Sequence, residues 1–142
     1  MAYATKQKII DLYGEDLLVR IADRNNDGLV EDDAIDAALE SAASRIDSAI
    51  AAVADLPLPA TARIIPMLEL ANVDMAVYIL AGDLRTEEQT RRNDRAEVLL
   101  DRISSGKQSL GIPAADQPES SDGGLLVSAR DKVFGSDELD QY

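Results

Sequence analysis

Cysteine, histidine and tryptophan are absent from this chain, and phenylalanine occurs once, at Phe134. Without cysteine there is no disulfide, no thiolate ligand for zinc and no thiol nucleophile. Without histidine the commonest general base, pH switch and transition-metal ligand is missing. A core so poor in aromatics has to be built from Leu, Ile, Val, Ala and Met. Positive charge is scarce as well: 14 Lys and Arg stand against 27 Asp and Glu, a formal net charge of -13. That balance argues against a dedicated nucleic-acid binder, because phosphate contacts need clustered Lys and Arg. The opening stretch MAYATKQKIIDLYG holds no apolar core of signal-peptide length, and no run is read as long enough to span a membrane. A soluble protein made in the cytosol is therefore expected.

What is present reads as helix. The 142 residues suit one domain with a modest core. Between Asp23 and Asp55 a polar loop, DRNNDGLVED, feeds an Ala-rich stretch in which Ile35, Leu39, Ala42, Ile46, Ile50 and Val53 recur every three or four residues. That spacing places them on one face of a helix of about six turns. Alanine fills many other positions, which favours helix and lets neighbouring helices approach closely. Upstream, Thr5 can cap a short helix ending at Gly14, and Glu15 and Asp16 favour the start of a second, Leu17 to Ala22. Downstream, Leu56-Pro57-Leu58-Pro59 forms a stiff connector. A helix from Ile65 to Gly82 is apolar on most of its circumference and is expected to be the central one, with Asp74 its exception. Thr86 opens the last helix with a capping box to Gln89. Glu87–Arg91 and Glu88–Arg92 support it as pairs four apart. Its apolar side is read as Val98, Leu99 or Leu100, and Ile103. The expected fold is all-α, a small bundle of four to five helices around the long Ala-rich helix.

Two features invite a functional reading. Asp23, Asn25 and Asp27, with Gly28 after them, match the first half of a calcium-binding EF-hand loop. The candidate calcium ligands are Asp23, Asn25, Asp27 and Glu31. Position twelve of such a loop is Ala34 here, where a bidentate Glu is needed, so calcium binding is expected to be weak at most. The same residues also make a tight turn that leads into the next helix, and both readings stay open. The second feature is a line of arginines, Arg91, Arg95 and Arg102, along one side of the last helix. It is either a solvated face or a basic stripe for an acidic neighbour. Residues 1–55 carry a net charge of -7, residues 56–111 only -1, and residues 112–142 again -5. Residues 1–111 thus read as a helical domain, and 112–142 as a flexible acidic tail in which Val133 and Phe134 are short apolar interface anchors that dock onto the chain's own body or a neighbouring subunit.

The order of several short motifs is itself informative. Tyr3-Ala4-Thr5 and Tyr13-Gly14-Glu15-Asp16 come first, then Ala22-Asp23-Arg24 with Asp27-Gly28, the Ala-rich helix and Leu56-Pro57-Leu58-Pro59. Gly82-Asp83, Gly106-Lys107 with Ser109-Leu110-Gly111 and Pro113, and Val133-Phe134-Gly135 with Asp137 and Leu139 follow. Over almost its whole length the chain resembles the small virion protein family of Mu-like phages and prophages. That family in turn resembles the adaptor, or head-completion, proteins of phage head–tail connectors. The resemblance implies a dodecameric ring of identical subunits in the virion, assembled in the host cytoplasm. It further implies contacts with the portal and with tail or neck proteins, and no membrane partner. It implies no enzymatic activity and no cofactor, and no catalytic constellation is seen in the residues. The alternative reading is a weak calcium-binding helical interaction module.

Overall fold

The computed structural model describes residues 2–117. Five helices follow one another: α1 Lys6–Tyr13, α2 Glu15–Ala22, α3 Asp32–Ala51, α4 Ile65–Ala81 and α5 Glu87–Ser104. No strand occurs among the described residues, so the fold is all-α. Each boundary has a local cause. The Thr5 side chain accepts a hydrogen bond from the Lys8 amide and caps α1. Gly14, at φ 84°, both ends α1 and begins α2. With that glycine as the only break, α2 starts at Glu15, two residues earlier than the expected Leu17, and places Glu15 and Asp16 at its positive end. At α5 the capping box forms as expected: Thr86 and Gln89 each satisfy the other's backbone amide.

The arrangement follows from α4. Contacts to α1, α2, α3 and α5 cover it, and it contributes Leu68, Ala71, Val73, Met75, Ala76 and Val77 to the core. By length and composition the 20 residues Ile65–Leu84 could cross a membrane, contrary to the expectation that no run is long enough. In the bundle half of that stretch is buried by the other helices, which is how a central helix of a folded domain uses such apolarity. The longest interface is with α3, whose Ala38, Ala42, Ala49, Ile35, Ile46 and Ile50 are buried. One residue of the expected α3 face does not belong to it. Val53 lies beyond the end of the helix and is exposed, because the amides of Val53 and Ala54 both turn back onto the Ile50 carbonyl.

A buried asparagine ties three segments together. Asn72 of α4 is fully buried; its Oδ1 accepts from the Ala4 amide and its Nδ2 donates to the Leu39 carbonyl, each at 2.9 Å. The start of the chain is thereby held against α3 and α4. The hydroxyl of Tyr3 reinforces this by donating to Asp47. On the surface Lys6–Asp32, Lys8–Glu69 and Arg45–Glu97 bridge different helices; such exposed pairs add little individually.

The segment after α5 also joins the body. The amides of Arg63 and Ile64 donate to the carbonyls of Gly111 and Leu110, each at 3.2 Å, and Leu110 is buried. Gly111 is required there: a Cβ would lie 2.8 Å from the Cβ of Arg63, and its φ is 63°. Ile112 packs against the core, and Thr61 donates to Asp116 at 2.5 Å. These contacts fix residues 112–116, the start of the acidic tail. Val133 and Phe134 lie outside the described residues.

Replacing Asn72 with Ala leaves the buried Ala4 amide without a partner and opens a small void. A loss of roughly 3 kcal/mol in unfolding free energy is expected, measured by chemical denaturation with the slope unchanged.

Candidate functional site

Helices α4 and α5 are joined by a short connection with a 3₁₀ turn at Gly82–Leu84, and they lie side by side. Of α5, Gln89, Asn93, Ala96, Leu100 and Ile103 turn inward. Val98, expected on that apolar side, is instead 53 % exposed. The helical spacing explains the difference: Val98 is three residues after Arg95 and four before Arg102, so it falls on the arginine line. Across from it Met67 and Leu70 of α4 are each 46 % exposed. Together with half-buried Leu99 they floor a groove made of two adjoining hollows of about 410 and 280 Å³. The hollows share Met67, Arg95 and Leu99.

Arginine lines this apolar floor. Arg95 borders both hollows, Arg102 the one nearer Gln108, and Arg92 the one nearer Asp74. Of the three arginines expected to form a stripe, the structure brings Arg95 and Arg102 to the groove. Arg91 is not part of its lining and pairs with Glu87 at 3.6 Å. Arg92, which the sequence suggests only as a helix-stabilising partner, does pair with Glu88 at 2.9 Å and also lines the groove. Its guanidinium sits 5.0 Å from the centre of the Tyr13 ring.

Asp74 closes the inner end. Its carboxylate accepts from the Tyr13 hydroxyl at 2.7 Å, so the acidic residue within α4 is partnered. Burial pushes the Asp74 carboxyl above its ordinary range, against the opposing pull of Tyr13, Arg92 and Arg95. Burial and the neighbouring carboxylate drive the Tyr13 phenol well upward too. Tyr13, Asp74 and Arg92 thus link α1, α4 and α5 at one end of the groove.

With this geometry in place the comparison with known families is decisive. The profile of the family described as Bacteriophage Mu, Gp36 matches residues 3–129, most of the chain. The chain belongs to the bacteriophage Mu Gp36 family. No curated protein matches it in sequence. For this Gp36 family member, two of the ordered motifs meet in space. Leu56-Pro57-Leu58-Pro59 and the Gly106–Pro113 segment border an open cleft of about 960 Å³, which Gln108 shares with the arginine-lined groove.

The Asp23 loop stands apart from both. The Asp23 carboxylate accepts from the amides of Asp27 and Gly28 at 3.1 and 2.8 Å, and Asp27 accepts from the Leu29 amide at 2.8 Å. These bonds close the turn by themselves. Among the described residues no group of three acidic side chains is placed to hold a metal ion. Asn25 and Glu31, the other candidate ligands, make no side-chain bond within that turn.

Two expectations follow. Calcium added to the full chain is expected to bind no tighter than about the millimolar range, which calorimetry reads directly; micromolar binding would make the loop a calcium site. For Asp74, the folded-state pKa is raised. The stability tied to it is therefore complete below the ordinary aspartate value of 3.8 and is lost as pH rises through the folded value. Asp74→Asn keeps an acceptor for Tyr13 and removes the buried charge. It is expected to raise the melting temperature at neutral pH, with the advantage shrinking as pH falls toward 3.8; thermal melts across that window provide the check.

Proposed function

We propose that this phage protein is a structural component of the virion, a head–tail connector subunit that assembles as a ring between the portal and the tail. The observation that carries the reading is the groove between α4 and α5: an exposed apolar floor with arginines along it, on a chain of net charge -13. Acidic subunits repel one another when brought into a closed ring, and salt screens such repulsion only beyond about 8–10 Å. Local positive charge beside apolar surface offers an attractive contact at shorter range. Helix α5 supplies it, and the acidic first third of an adjacent subunit supplies the opposite sign. A contact between two different surfaces of this kind is head-to-tail, and it closes into a ring when the rotation per subunit permits. Membership of a phage family supports the same reading. The protein's work, on this view, is a set of interfaces and involves no catalysis.

Mass photometry of the protein alone and with purified portal tests the proposal; a ring of subunits on the portal is expected, and its absence would remove the connector role. The arginines give a sharper test. Arg95 and Arg102, the exposed arginines of the groove, can both be changed to Glu, which is expected to leave the helical circular dichroism spectrum intact. Recovery of the double variant on the portal is expected to fall by about tenfold or more. Unimpaired assembly would reduce the arginine line to a solvated helix face.

A further inference from the structure

An exposed apolar groove needs an occupant, and the chain supplies a candidate. The described residues end at Gln117, which borders the open cleft that also contains Gln108. Gln108 in turn lines the groove beside Arg102 and Met67. The C-terminal segment therefore departs from the cleft that adjoins the groove at Gln108. Sixteen residues on from Gln117 stand Val133 and Phe134, with Leu139 beyond them, an apolar content that matches a floor of Met67, Leu70, Val98 and Leu99. Around these anchors lie Asp131, Asp137, Glu138 and Asp140, with Lys132 the one basic residue from 131 onward. That sign is opposite to that of Arg92, Arg95 and Arg102.

We propose that in the free protein the groove between α4 and α5 is the seat of the chain's own C-terminal segment, residues 131–139. Length permits it. From Arg92 to Arg102 the groove runs about 15 Å along α5, whereas a nine-residue extended segment spans about 30 Å at most. Tethering favours it. A covalent connection of this length holds the segment at an effective concentration of about the millimolar range, and the entropic cost of closing such a loop grows only slowly with length. A segment from another molecule has to compete with that concentration. Methionine at Met67 suits the role, since its unbranched side chain adapts to what lies on it. The inference is independent of the ring: it concerns the subunit before any assembly.

The absence of cysteine makes the test clean. Asp94 borders the groove and is exposed, and Ser136 is two residues past Phe134. In the full chain carrying Asp94→Cys and Ser136→Cys, mild oxidation is expected to give an internally cross-linked monomer. The rate should exceed that of a control pair, Ser41→Cys with Ser136→Cys, by at least about tenfold. Ser41 is exposed on α3. Adding Phe134→Asp, or raising the salt concentration, is expected to bring the rate down toward the control. Equal rates for the two pairs would overturn the proposal. Cross-links between chains in place of within them would overturn it in favour of a second copy's segment. Neither result bears on whether the protein forms a ring on the portal, which the mass measurement above decides separately.

Discussion

A helix that is apolar nearly all round cannot be left in water, and the rest of this bundle answers to that constraint. Covering α4 takes four other helices, the two shortest among them. Helices of eight residues are not stable alone. Their side chains, Ile9 and Leu18 above all, are ordered by the surface that they bury. With aromatics scarce, alanine does the complementary work: five buried alanines on α3 permit its backbone to approach neighbouring helices closely. The groove arises from the same geometry, since α5 covers only part of α4 and leaves Met67 and Leu70 beside it.

Two buried polar residues of α4, Asn72 and Asp74, have defined partners, and these contacts hold the bundle in one arrangement. Asn72, through its bonds to the Ala4 amide and the Leu39 carbonyl, specifies where the start of the chain lies. Asp74 fixes α1 through Tyr13 and places a carboxylate below the arginines. Buried polar contacts of this type contribute modest net stability, but losing one partner is costly, so alternative arrangements are penalised.

Much of the fold could be read from the sequence, because caps and periodicity are local signals. Thr5, Gly14, the Thr86–Gln89 box and the apolarity of α4 each mark their element correctly. The misreadings occur where hydrophobicity and position disagree. Val98 looks like core by residue type, but its spacing from Arg95 and Arg102 assigns it to the groove. Val53 follows the α3 period, yet the helix ends before it, where the Val53 amide turns back onto the Ile50 carbonyl. Met67 and Leu70 could not be distinguished from buried neighbours, since exposure there depends on how far α5 reaches. Arg92 was legible only as a partner of Glu88, because its place over Tyr13 requires α1 to fold back. Asn72 and the pairing of Gly111 with Arg63 carry no periodic signal, as both depend on contacts distant in sequence.

That last pairing has a mechanical meaning. Any pull on the C-terminal segment, whatever holds its far end, enters the bundle at Asp116 and passes to Thr61, then to the backbone bonds at Gly111 and Leu110. These lead into the start of α4, beside the covalent path back to α5. Part of the load is thus delivered to the most deeply embedded element of the fold. A tether anchored in this way shares traction between the buried helix and α5, so the outer helix does not bear it alone.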